Sequence, residues 1–304
     1  MRWFKESSII QSFIMKIIKR GELPHHIAFI MDGNRRYAKK LNLVRADGHL
    51  HGFERLSQIL GWCRDLAIKE ITVYAFAREN FQRSPEEVED LMSIAREKFQ
   101  HLIEELDEIN ENGVCVRFWG ELSMLPEDMQ RLVSRIMLST KENNRAYLNV
   151  CFAYGSRYEI AGATNKLLVG VENKLIDSRD IDEKLMERCL YSSNSSPPDL
   201  LIRTSGEVRL SDFLLWQSGF SLLCFVKTLW PEFSFWDLMY CIIFYQKHRL
   251  NNVDNELEEE IEDLNSTSNL EDSFLKSRTD RINRIDSFIR EMDSRSSESL
   301  RNSL

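Results

Sequence analysis

The segment Asp32-Gly33-Asn34-Arg35-Arg36 sets one carboxylate and two guanidinium groups around a glycine. It follows the apolar run at 26–31 and leads into the helix-like Tyr37-Ala38-Lys39-Lys40. A carboxylate at the carboxyl end of a strand, a glycine that lets backbone approach a ligand, and arginines at a helix N-terminus suit a diphosphate held with magnesium. One carboxylate suffices, because magnesium keeps several waters and draws further ligands from substrate phosphates. Taken alone, the pentapeptide fits an Asp–Gly turn with solvated arginines equally well.

Six short apolar runs read as buried strands that would hold such a segment in place: 26–31, 71–76, 114–119, 147–152, 199–203 and 222–226. Helical patterns at 52–66, 85–109 and 126–143 separate several of them, the second opened by Ser84-Pro85 and Glu86-Glu87. This alternation implies right-handed crossovers and an α/β fold: a mainly parallel six-stranded sheet covered by helices. Ligands of such sheets gather at the carboxyl ends of the strands, where Asp32 falls.

A chain of 304 residues with 43% hydrophobic content can bury a large core. The formal charge of −8 belongs to the C-terminal part: from Asp254 onward there are 14 Asp/Glu and 7 Lys/Arg, against 34 and 33 before it. A nearly neutral body without a basic run argues against nucleic acid as the main partner. The six cysteines form no CxxC pair and mostly fall within apolar segments, as buried reduced thiols on the cytosolic side would. No run reaches the roughly 18 apolar residues of a membrane span, and no secretory h-region is present.

Residues 3–20 place Trp3, Ile9, Ile10, Phe13, Ile14, Ile17 and Ile18 on a broad helical face, with Lys16, Lys19 and Arg20 at the polar end. Such an amphipathic helix either packs on the domain or touches membrane or a lipidic substrate. The expected division is an N-terminal helix at 1–23, a catalytic domain at 24–252, and a charged, partly helical or disordered tail at 253–304, which carries no apolar stripe for a second core.

Three further segments follow the first: VRADGH at 44–49, YAFARENFQRS at 74–84, and DLLIRTSGEVRLSDFLLWQ with LWPEF between Asp199 and Phe233. With HIAFIMDGNRRYAKK they resemble the four ordered signatures of the cis-prenyltransferases, across about residues 24–240 and most closely in the eukaryotic dehydrodolichyl-type catalytic subunits. Four motifs in order are far more specific than one. The resemblance implies repeated condensation of isopentenyl diphosphate onto farnesyl diphosphate, giving a long polyprenyl (dehydrodolichyl) diphosphate for dolichol synthesis and protein glycosylation. It assigns Asp32 to magnesium, the sole expected cofactor. Gly33, Asn34, Arg35, Arg36, Arg45, His49 and Arg83 would bind the allylic diphosphate. Arg203, Arg209 and Ser211 would bind isopentenyl diphosphate, and Asn80 would sit near the reacting carbons or serve as a turn residue. Arginine forks match phosphate oxygens, which suits two polyanions held side by side.

Self-sufficient members of that family carry an Arg-x-Gly motif after the WP(D/E)F segment, where this chain reads FYQKHRLNN at 244–252, and a Glu where it has Leu222. The resemblance therefore implies a hetero-oligomer in which a related, membrane-anchored subunit supplies the motif. It also implies peripheral attachment at the cytosolic face of the endoplasmic reticulum. Ala77 stands where a Ser is common, removing a hydroxyl near the first diphosphate. The rival readings are a non-catalytic prenyltransferase-fold interaction subunit and a magnesium-dependent phosphohydrolase. The first gives no reason to keep two sets of anion-binding side chains, and the second leaves the WQ and WPEF segments without a role.

Overall fold

The computed structural model describes residues 8–249 and 272–304, with backbone alone for Ala46 and 272–278. Trp3, the acidic run at 254–264 and residues 250–252 of the segment after LWPEF lie outside the described residues. Packing divides the chain into two units. One comprises Met1–Ser156, Ser196–Gln246 and Ser303–Leu304, the other Arg157–Ser195 and Lys247–Asn302. The composition change at Val253 and this division do not coincide.

The first unit is built on six strands, β1 (His26–Ile30), β2 (Glu70–Ala77), β3 (Val114–Trp119), β4 (Ala146–Tyr154), β5 (Leu200–Arg203) and β6 (Leu222–Phe225). All pairs are parallel, in the order β3-β4-β2-β1-β5-β6. The expected strands are all present, β3 with its expected ends and the others with ends within two residues of those expected.

The register explains the core. Ile27 and Phe29 of β1 align with Ile71 and Val73, with Leu200 and Ile202, and onward to Leu148 and Val150. Side chains alternate across a strand, so these residues share one face, and all are buried in a single apolar cluster. The other face carries a buried polar row. His26 meets the Thr72 hydroxyl at 2.7 Å, and Asn149 donates to Glu70 and Thr72 at 2.7 and 2.9 Å.

Seven helices belong largely to this unit: α1 (Ile9–Ile18), α2 (Asn34–Lys40), α3 (Arg45–Leu66), α4 (Pro85–Glu104), α5 (Leu106–Glu111), α6 (Glu127–Thr140) and α9 (Phe235–Arg249). Helix α3 starts seven residues before the expected 52, because Gly48 and Gly52, which weaken a helical pattern, lie inside it. At Gly52 a Cβ would fall 2.3 Å from Asn34 Oδ1, so helix propensity gives way to close packing. The helix expected at 85–109 is interrupted at Glu105 (φ −103°, ψ 16°).

Helix α1 is capped by Ser8 and Gln11 in a reciprocal box. Its apolar residues are split between two faces. Met15 is buried and Ile14 and Ile18 pack on the core, while Ile9, Ile10, Phe13 and Ile17 are exposed. Gln246 secures its end, donating to the Ile18 carbonyl at 3.0 Å.

The second unit contains α7 (Ser156–Glu172), α8 (Glu183–Cys189) and the 31-residue α10 (Asp272–Asn302). The charged tail thus contains a long helix that adds the buried Phe288 and Ile289 to the second unit. Phe288 rests where Gly170 has no side chain, a Cβ there falling 2.7 Å from its ring. Arg284 donates to the buried Asp180 carboxylate at 2.9 and 3.0 Å. Two apolar residues make no visible stripe, and Phe288 packs against a glycine more than a hundred positions away.

Candidate active site

Asp32 lies two residues beyond β1, and its backbone is fixed before its side chain is considered. Its N–H donates to Thr204 Oγ1 (3.0 Å), while its carbonyl accepts from the Thr204 hydroxyl (2.7 Å) and the Trp230 N–H (3.0 Å). Gly33 follows with φ +113°, and a Cβ there would meet Leu229 at 3.0–3.1 Å. Both facts require glycine at the turn into α2.

The Asp32 carboxylate, one-third exposed, accepts a hydrogen bond from Arg203 Nη2 at 2.9 Å and faces Arg36 Nη2 at 3.6 Å. Burial pushes its pKa up, but the Arg203 hydrogen bond and charge, with Ser205 and Arg36, outweigh this and hold it below the usual carboxylate value. It is ionised at neutral pH. Arg36 also donates to the Ser205 carbonyl at 3.0 Å and to its hydroxyl.

Arg203, the last residue of β5, is buried. It donates to the Arg209 carbonyl, to Ser211 Oγ (2.8 Å) and to Asp32. Arg209 is exposed and pairs with Glu207, which also faces Arg36 at 3.5 Å.

A second group gathers around Glu87 in the same cavity. Glu87, in the first turn of α4, accepts from Arg83 at 2.7 Å and from Arg45 at 3.4 Å, and lies 3.6 Å from Arg35. Its side chain is only 11% exposed, whereas those of Arg35 and Arg45 are 57% and 68% exposed. His49 is half-buried beside them, its Nε2 atom buried and unpartnered among the described residues. Desolvation, helped by the Arg83 charge, lowers its pKa to about 4, so at neutral pH it is an uncharged imidazole.

All twelve residues singled out from the sequence line one cavity of about 1050 Å³. This is the upper end of the size range of small-molecule sites. From the charged mouth it continues between the sheet and α3 and α4, past Leu56, Val73, Ile94, Phe99, Leu148 and Phe152. Asn80 reaches it from a single 3₁₀ turn after β2, and Ala77 also lines it.

The sequence reading missed Glu87 and Glu207, which share the arginines between them. The Arg83–Glu87 spacing of four across a helix start was the available signal. Leu222 lies on β6 and does not line the cavity, and 246–249 are helical within α9.

A charged mouth above an apolar channel, at the carboxyl ends of parallel strands, is the geometry of a site for diphosphates with hydrocarbon tails. The family model described as putative undecaprenyl diphosphate synthase matches residues 30–252. The chain is a cis-prenyltransferase. It is 52% identical over 248 residues to the human dehydrodolichyl diphosphate synthase complex subunit DHDDS, covering 81% of this chain and 74% of that protein. It is 42% identical over 239 residues to the tritrans,polycis-undecaprenyl-diphosphate synthase of Thermococcus kodakarensis, covering 79% and 90%. Among solved structures, lavandulyl diphosphate synthase from Lavandula x intermedia, in complex with dimethylallyl diphosphate, superposes with a TM-score of 0.70 at 33% identity. That match covers 74% of this prenyltransferase and 95% of the lavender enzyme.

Proposed function

We propose that this cis-prenyltransferase adds isopentenyl units repeatedly to farnesyl diphosphate, giving a dehydrodolichyl-type diphosphate for dolichol synthesis and protein glycosylation. The observation that carries this reading is one cavity that brings two arginine groups and Asp32 together with an apolar lining. Gly33, Asn34, Arg35, Arg36, Arg45, His49 and Arg83 hold the allylic diphosphate, whose hydrocarbon tail enters the channel. Arg203, Arg209 and Ser211 hold the isopentenyl diphosphate, and Asn80 orients substrate between them.

The donor set at Asp32 fits magnesium shared with substrate. Asp32 offers one hard, ionised carboxylate at the mouth, and no group of three or more His, Cys, Asp or Glu able to hold a metal occurs among the described residues. The ion would take its other ligands from diphosphate and water. When bound, magnesium supplies charge stabilisation to the departing diphosphate. The arginines, already placed by Glu87, Asp32 and Glu207, stabilise the charge that grows as the allylic C–O bond breaks. The channel excludes water and holds the two reacting carbons together, which reduces the entropic barrier. No covalent nucleophile is required.

The human relative's name describes a complex subunit, which supports assembly into a complex; the partner we propose is a related, membrane-anchored subunit that supplies the Arg-x-Gly motif this chain's sequence lacks at 244–252. A surface suited to it lies on the first unit: Trp236, Tyr240 and Ile243 stand exposed along α9 at helical spacing, and Leu223 is exposed on β6 at the end of the sheet order. No helix of the described residues is long and apolar enough to cross a membrane. Peripheral attachment at the cytosolic face of the endoplasmic reticulum would come through that subunit and through Ile9, Ile10, Phe13 and Ile17 of α1, with Lys16 and Lys19 beside them.

Incubation with farnesyl diphosphate, labelled isopentenyl diphosphate and magnesium, with and without the related subunit, tests the proposal. Labelled long chains whose yield rises with the added subunit are expected. Free phosphate instead would indicate a hydrolase, and no turnover in either arm would leave an interaction subunit. Full activity alone, unchanged by the subunit, would refute the two-component arrangement.

A further inference from the structure

Tyr74 opens the third signature segment and has no part in the function described so far. It lies on β2, aligned with Ile30 of β1 and Cys151 of β4, and lines the cavity. Its strand leads to Asn80 and on to Arg83 of the allylic group. Its ring faces the other way in chemical terms: it stacks on Phe213, with centroids 4.5 Å apart and planes within 15°. Its hydroxyl oxygen lies 3.3 Å from the carbonyl oxygens of Ser211 and Tyr154 and shares its proton between them. Burial pushes the phenol pKa up, so it remains a donor.

The turn it touches needs support. Ser211, Asp212 and Leu214 have φ of +50°, +59° and +47°, a left-handed region that side-chain-bearing residues occupy at a cost and only where surrounding contacts enforce it. Arg203 binds the turn at Ser211 Oγ, and Phe213 plugs it into the core without exposure. The Asp212 carbonyl accepts from the Ser156 N–H at 2.8 Å. Tyr74 ties this turn to the strand that leads to the other subsite.

We infer that Tyr74 is a positioning residue for the isopentenyl diphosphate subsite, acting through the backbone of Ser211 to set that turn against β2. The inference rests on the assignment of Ser211 to that substrate. Tyr74→Phe keeps the ring stack and removes only the hydroxyl. In the enzyme purified with whatever subunit accompanies it, this variant raises the KM for isopentenyl diphosphate about fivefold, the range of one neutral hydrogen bond. The KM for farnesyl diphosphate and the Tm stay close to wild type. In a Ser211→Ala background the same change adds less than its separate effect, because both act on one turn.

Equal shifts in both KM values, no shift in either, a large loss of Tm, or fully multiplicative effects in the double variant would each overturn the role of Tyr74. A wild-type enzyme that turns over farnesyl and isopentenyl diphosphates while Ser211→Ala leaves the isopentenyl KM untouched would instead overturn the subsite assignment on which it rests.

Discussion

The two arginine groups in the cavity are built differently. Arg203 is 3% exposed and engages Asp32, Ser211 and the Arg209 carbonyl, whereas Arg35 and Arg45 are more than half exposed and share the single carboxylate of Glu87. A buried guanidinium must be paired to exist at all, so Arg203 belongs to the fold as well as to the site. An exposed one is screened by solvent and is free to turn toward an arriving polyanion. The difference teaches that Arg203 is fixed by its partners before any ligand arrives, while Arg35 and Arg45 are cations held by a carboxylate that a diphosphate can outcompete.

The largest expected effect breaks the point the two groups share. Asp32→Ala lowers kcat by well over about tenfold, more than 1.4 kcal/mol in barrier. It also lowers Tm, since Arg203 loses its carboxylate. Asp32→Asn, which keeps a hydrogen-bond acceptor, recovers part of the Tm without the turnover. A soluble Asp32→Ala enzyme retaining more than a tenth of wild-type kcat would remove the metal-ligand role.

Arg203→Ala and Arg209→Ala test rigidity directly. Both raise the KM for isopentenyl diphosphate more than that for farnesyl diphosphate. Only Arg203→Ala also lowers the free energy of unfolding measured by denaturant titration, by about 1–3 kcal/mol, since it strands buried hydrogen-bond partners. Equal stability of the two variants would contradict the distinction drawn from burial.

His49 sharpens the comparison from the other side, being a half-buried imidazole beside the exposed Arg35 and Arg45. Its folded pKa of about 4 lies below the ordinary value of 6.5, so the fold favours the neutral form. The stability this contributes is complete above about pH 6.5 and is lost as pH falls toward 4. His49→Gln should flatten that part of the stability profile, by up to about 3 kcal/mol at its acid end. Parallel profiles for the two proteins, measured by denaturant titration across that window, would sink the assignment. The smallest effect is expected at Arg45. Arg45→Ala raises the farnesyl diphosphate KM by only about threefold, as an exposed ion pair does, and added salt diminishes the difference. A loss as large as that at Arg203 would mean that Arg45 becomes buried when substrate binds.

The sheet was legible in the chain because strands covered on both faces read as continuous apolar runs, and these do not depend on distant residues. The Asp32 segment was legible for a similar reason. A carboxylate, a glycine that must adopt φ +113° and two arginines are adjacent in sequence, and the ordered motifs after them identify the chemistry. The start of α3 was not legible, because Gly52 obeys a packing demand from Asn34 rather than helix propensity.

Only the tertiary structure decided which charges meet. Glu87 reads locally as an acidic residue in a helix's first turn, and becomes the counter-ion of Arg35 and Arg45 because α2, α3 and α4 converge at one end of the sheet. The pairing of Tyr74 with Ser211 spans 137 residues, and that of Arg203 with Asp32 spans 171. The same holds for α1, whose apolar residues form one broad face in sequence but are divided between core and solvent in space. Propensity and periodicity act over a few residues and so are written in the chain. Burial and charge pairing depend on what the fold brings alongside, and no local pattern carries that information.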